Sequence, residues 1–169
     1  MAVQRMARTP RSSTPRSFRI PADGRVQEAR IRRVLLATDL SPASRTATAE
    51  AIALAKRESA SLIVLSVMDP RRLRLPGGSF LRRADQERAV LLAGVQRIVA
   101  QARTAGVTAT FLVWEGEPAE TIMAASESEG ADVIVMGSHG RGHIGRLILG
   151  STSARVSEEA RCRVMVVPS

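Results

Sequence analysis

Aromatic residues are nearly absent from this chain of 169 residues. It has three phenylalanines, one tryptophan and no tyrosine, 2% in all. A core built on rings is therefore excluded, and Val, Leu, Ile, Ala and Met must fill it. Cysteine is as scarce. With Cys162 alone, neither an internal disulfide nor a thiolate metal centre can form, and a buried, inert thiol is expected. Lysine occurs only at Lys56, the other 24 basic residues being arginine, a skew that fits genomic codon bias better than chemistry. No apolar run approaches the roughly 18 residues of a membrane span, and no charged start leads into an apolar signal stretch. A cytoplasmic protein is expected.

What is present falls into two parts. Residues 1–33 carry nine arginines against Asp23 and Glu28, so the net charge of +9 belongs mostly to the start of the chain. Residues 1–30 mix Arg, Ser, Thr and Pro without a sustained apolar period. Such a segment cannot bury enough surface to offset its ordering entropy, and a mostly disordered basic extension is expected. Weak contact with nucleic acid or another anionic surface is a second reading of it. An organelle transit peptide is a third. Residues 31–169 are expected to form one domain, the length and the 44% apolar content sufficing for a single sizeable core.

Within that domain short apolar runs alternate with helical periods. "VLLAT" (34–38), "LIVLSV" (62–67), "VTATFLVW" (107–114), "ADVIVM" (131–136) and "VMVV" (164–167) read as strands. The third alternates Val107, Ala109, Phe111 and Val113 with Thr108, Thr110 and Leu112, which suits an edge strand with one wetter face. Helices are expected over 41–60, with Ser41 as N-cap and Pro42 as first residue, over 80–104, over 116–130, and from near Gly150 to near Ala160. Strands alternating with helices imply an α/β fold: one open, five-stranded parallel sheet, Rossmann-like, with helices on both faces. Right-handed crossovers leave few topologies, of which strand order 3-2-1-4-5 is the expected one.

Ligands in such sheets bind beyond the carboxyl ends of the strands, where strand order reverses. That brings "ATDLS" after strand 1, "MDPRR" after strand 2 and the glycine-rich "MGSHGRGHIGRLILGS" (136–151) to one mouth. Two codes overlap in the last segment. Gly140, Gly142 and Gly145 spell the dinucleotide fingerprint G-x-G-x-x-G, but that code needs a helix to start within it and an acidic residue about 20 positions on; Gly145 and Gly150 disfavour the one, and "VMVV" ends without the other. A P-loop is excluded because no Gly-Lys-[Ser/Thr] is present. The second code, G-x2-G-x9-G-[ST], uses Gly137, Gly140, Gly150 and Ser151. Glycines at 137 and 140 let the backbone turn and approach a ligand. Gly150-Ser151-Thr152-Ser153 opens a helix whose N–H groups and dipole favour an anion. His139 and His143 lack a third ligand nearby, so no metal site is expected.

Over residues 32–168 the chain resembles the universal stress protein family. The resemblance rests on "VLLATDLSPAS", on "EGEPAETI" and above all on "ADVIVMGSHGRGHIGRLILGSTSARV" with its ungapped signature. It implies an ATP-binding member, with Mg2+ as a companion of the phosphates. Ala37, Thr38, Asp39 and Val67 would line the adenine and ribose end. Met136, Gly137, His139 and Gly140 would wrap the ribose and first phosphates, and Gly150, Ser151, Thr152 and Ser153 would hold the phosphate tail. The resemblance also implies a homodimer through the last strand. Where the family often has Cys-Pro-Val, this chain has Cys162-Arg163-Val164, which alters the expected dimer edge.

Alternatives stay open at this point. Asp39 could cap the first helix instead of meeting a ligand, and Ser151, Thr152 and Ser153 could serve only as helix caps. One of Arg71, Arg72 and Arg74 could reach the phosphates or be solvated. No general base is evident near the γ-phosphate, so no catalytic residue is assigned. The implied function is an ATP-binding regulator of stress adaptation. A slow ATPase or autophosphorylating protein is the second possibility, and a partner- or nucleic-acid-binding module with a vestigial nucleotide site is the third.

Overall fold

Five aliphatic runs become parallel strands in a computed structural model that describes residues 30–73, 80–138 and 150–168. They are β1 (Arg33–Ala37), β2 (Ser61–Met68), β3 (Ala109–Glu115), β4 (Val133–Gly137) and β5 (Arg163–Val167). Their order is β3-β2-β1-β4-β5, the order expected. The helices are α1 (Arg45–Glu58), α2 (Phe80–Thr104), α3 (Pro118–Glu129) and α4 (Ser151–Glu159). The expected extension over residues 1–30 lies outside the described residues, Arg30 apart.

Alternation along the strands feeds two cores. Val34, Leu36, Leu62 and Val64 face α1 and α2, where they meet Ala51, Leu54, Ala55, Val95, Val99 and Ala102. Leu35, Ile63, Leu65 and Ile134 face the opposite way, against Ala119, Ile122 and Ala125 of α3 and Val156 of α4. Each fully buried Leu, Ile or Val stabilises the fold by about 1.5–3 kcal/mol. No ring larger than a half-buried Phe111 or Trp114 takes part among the described core residues. Because β1 and β4 are covered on both faces, they read as continuous apolar runs rather than alternating ones.

Three local expectations need correction. The helix expected over 41–60 is broken at its start: Pro42–Ser44 form a 3-10 turn and the α-helix begins at Arg45. Ser41 makes no side-chain cap there. Its N–H is taken by Asp39 Oδ1 at 3.0 Å, and Ser44 in turn spends its hydroxyl on the Ser41 carbonyl at 2.8 Å. The third strand starts at Ala109, two residues late. Its wetter face is less wet than expected, since Leu112 and Trp114 pack against the second core. By contrast, α2 spans the expected residues, and Gly130 closes α3 in the left-handed conformation with φ of 61°.

Cys162 is half-buried, and burial pushes its thiol up from the ordinary range. No described helix is long and apolar enough to cross a membrane.

Candidate functional site

Strand order reverses between β1 and β4, because β1 leads through α1 to β2 on one side while β4 leads through α4 to β5 on the other. In open parallel sheets such a reversal is where a crevice forms, beyond the carboxyl ends of the strands. Ala37, the last residue of β1, pairs with Leu65 on one side and Met136 on the other. Both Ala37 and Met136 are buried, so they floor the crevice. Gly137 ends β4 opposite Val167. Val67 lies farther along β2, half-buried and opposite Trp114.

The shoulder beyond β1 is a hydroxyl network. Thr38 is buried, and its N–H still donates to Leu65 across the sheet at 2.9 Å. Its carbonyl accepts from the Ser66 hydroxyl at 2.8 Å. Thr38 Oγ1 donates to Ser44 Oγ at 3.0 Å and accepts from the Leu40 N–H at 3.1 Å. Thr38 therefore shapes the shoulder from within. Asp39 is half-buried at its lip, with Oδ1 on the Ser41 N–H. This bond closes a local turn two residues long that precedes the 3-10 turn, whose N-cap is Ser41, not Asp39. Ser41 Oγ is buried and has no hydrogen-bond partner among the described residues.

The opposite shoulder is made of backbone. The chain leaves β4 at Ser138 and returns at Gly150, where the Gly150 N–H donates to the Ser138 carbonyl at 2.8 Å. Ser153 Oγ also lies on that carbonyl at 3.1 Å and on the Gly150 carbonyl at 2.9 Å. With Ser153 only 2% exposed, its one proton is committed to these carbonyls. Ser153 closes the loop ends, while Ser151 is exposed and Thr152 half-buried at the first turn of α4. Gly150 is the N-cap of α4 and gives no side-chain cap, so the cap residue itself satisfies none of the first N–H groups of the helix through a side chain. Its φ of −62° suits any residue; backbone torsion does not require glycine there. His139 and Gly140 lie outside the described residues.

A charged network ties the segment after β2 to α3 and α4, and sequence reasoning singled out only Arg71 among its members. Arg71 forms a two-pronged pair with Asp69 at 2.9 Å on each oxygen, and its guanidinium is 3.8 Å from Glu117. Glu117 caps α3, accepting from the Glu120 N–H at 2.9 Å, and holds Arg155 of α4 at 3.0 Å. Arg155 also reaches Glu120 and Glu159, each at 3.1 Å. The hydrogen bond and charge of Asp69 push Arg71 further above its ordinary range, as Glu120 and Glu159 do for Arg155. The signals were present in "GEPAE", a Glu before Pro and three residues before Glu, and in Arg155 four residues before Glu159. The pairing across α3 and α4 carried none. The side chain of Arg72 and all of Arg74 lie outside the described residues. Among the described residues no group of three His, Cys, Asp or Glu could hold a metal ion.

Comparison with known proteins matches residues 30–168 to the model of the universal stress protein family. A universal stress protein of Thermus aquaticus is 39% identical over 134 residues, covering 79% of this chain and 96% of the relative. One from Mycolicibacterium smegmatis is 36% identical over 138 residues, and there the match takes in 79% of this chain but 45% of the relative. A universal stress protein solved in complex with cAMP superposes with a TM-score of 0.63 at 25% identity, over 83% of this chain and 98% of that one.

Proposed function

Since the chain belongs to the universal stress protein family, we propose that it binds ATP in the crevice between β1 and β4 and acts in stress adaptation as a binding regulator rather than through fast turnover. The observation that carries this reading is the α4 shoulder. An N-terminus with Ser151 and Thr152 exposed or half-exposed and no side-chain cap is held against the end of β4 by the Gly150–Ser138 hydrogen bond. Phosphate groups suit such a terminus by charge and by donor geometry. The adenine and ribose then fall over Ala37, Thr38, Asp39 and Val67, with Met136 and Gly137 beneath. Mg2+ would ride on the phosphates, as it does where a protein supplies few ligands. The cAMP complex of a family member supports an adenine nucleotide as the ligand class.

Binding regulates only through differential affinity for two conformations or partner states. Homodimerisation along β5, the edge strand that carries the exposed Met165, would supply such states. Nucleotide released by heat from the purified protein, identified by mass, tests the reading. ATP is expected. ADP, or phosphate on Ser151 or Thr152, would instead favour slow hydrolysis or autophosphorylation. No adenine nucleotide in the released fraction, and none bound on titration, would sink the proposal.

A further inference from the structure

Among the described residues only Leu40 and Ser59 place a side chain on left-handed backbone. Ser59 sits at the C-cap of α1, a usual place for it. Leu40 does not end a helix. It directly follows Asp39, and its φ of 61° puts a bulky residue where glycine or asparagine is the ordinary choice. Such an outlier persists only when its surroundings over-determine it. Here two contacts do so. The Leu40 N–H donates to Thr38 Oγ1 at 3.1 Å, and the Leu40 side chain lies in a notch on α2 at Gly94. A Cβ built on Gly94 would stand 3.0 Å from Leu40 Cδ2 and 3.1 Å from Cγ, and would collide with Cδ1. Gly94 is buried inside a helix of 25 residues, where glycine is disfavoured. The approach of Leu40 is the physical reason for a glycine at that position.

We infer that Leu40 and Gly94 are a positioning pair for the nucleotide crevice. Docking of Leu40 into the Gly94 notch holds the left-handed turn that sets Thr38 and Asp39, and so couples the middle of α2 to the ligand-facing lip of β1. The functional half of this inference rests on the proposed ATP site; the docking itself does not.

The test uses the full chain carrying Gly94→Ala, Leu40→Gly or both, with two readouts. One is affinity for ATP with Mg2+ by titration calorimetry. The other is amide hydrogen exchange at residues 38–41 without nucleotide. Gly94→Ala should fold, since alanine favours helix, and should weaken ATP about tenfold; Leu40→Gly should weaken it about threefold. The double variant should match Leu40→Gly alone. Glycine at 40 has no side chain for an alanine at 94 to expel and no torsional cost to bear. Exchange at residues 40 and 41 should accelerate in the same rank order. Unchanged ATP affinity in Gly94→Ala, or a double variant showing the product of the two losses, would overturn the coupling. If the parent chain binds no ATP, the nucleotide reading fails by itself. In that case faster exchange in Gly94→Ala still supports the docking, and unchanged exchange overturns it.

Discussion

The two shoulders of the crevice are built by opposite means. Beyond β1, side-chain hydroxyls hold one another: Thr38 to Ser44, Ser44 to the Ser41 carbonyl, Ser66 to the Thr38 carbonyl. Beyond β4, backbone meets backbone at Ser138 and Gly150, with the Ser153 hydroxyl committed to the closure. A hydroxyl spent inside the protein stabilises but cannot recognise. A helix end whose N–H groups are left open can recognise but stabilises little. In the proposed site the β1 shoulder is therefore a shaped shelf, and the α4 shoulder is where anionic ligand atoms would find donors. That division refines the site assigned from sequence. Thr38 and Ser153 spend their hydroxyls inside the protein, so in the proposed site they would frame it, and Ser151, Thr152 and the Gly150 backbone would form its contact surface.

The sharpest way to break this comparison is Gly150→Val. The torsions at 150 are open to valine, so the chain should fold, losing about 1 kcal/mol or less from a poorer N-cap. Nucleotide affinity should fall by at least about 100-fold, the equivalent of losing two charge-assisted hydrogen bonds at the helix end. Titration calorimetry beside thermal melting separates the two effects. An unchanged Kd would remove the α4 terminus from the site. Gly142→Ala, outside the longer glycine code, is the matched control and should bind as the parent does.

A paired exchange tests the division of labour at the next scale. Thr38→Val keeps the shape of a buried side chain but strips the Leu40 N–H and Ser44 of their partner, so the protein should lose about 1–3 kcal/mol, seen as a lower denaturation midpoint in urea. Ser151→Ala removes an exposed hydroxyl and should leave the midpoint within about 0.5 kcal/mol, while weakening ATP severalfold. Were the two variants to exchange these signatures, the roles given to the shoulders would be reversed.

How much of this was legible in the sequence follows the same line. The sheet was, because a strand buried on both faces must be apolar throughout, as "VLLA" and "VIVM" are, and because alternation with helices leaves little choice of topology. The placement of Gly137, Gly150 and Ser151 was legible too, since a strand end and a helix start are themselves readable features. Individual hydroxyl fates were not. Nothing in "STS" distinguishes the exposed Ser151 from the buried Ser153; the difference arises from which side of α4 meets the Ser138 carbonyl. Leu40 carried no signal either, because its left-handed torsion depends on a glycine 54 positions later in the chain. Long-range pairs, whether Leu40 with Gly94 or Glu117 with Arg155, exist only once the fold has brought them together.

Glu117 offers the gentlest probe of how firmly the α4 shoulder is held. One carboxylate caps α3 through the Glu120 N–H and grips Arg155 one turn into α4, with Arg71 at its other oxygen. Glu117→Gln keeps an oxygen for the cap and removes the charge, so it isolates the electrostatic part. Glu117 and Arg155 are 28% and 39% exposed, and water screens a pair at that depth. The expected loss is about 0.5–1 kcal/mol, a fall in Tm of roughly 2–4 °C for a domain of this size. The difference should shrink as salt is raised, because the Debye length contracts from about 10 Å at 0.1 M to about 3 Å at 1 M. ATP affinity should change by less than about threefold, since the Gly150–Ser138 bond holds the helix start without the help of Arg155. A larger loss of affinity at unchanged Tm would mean that the charged network, and not the backbone closure, sets where α4 presents its N-terminus.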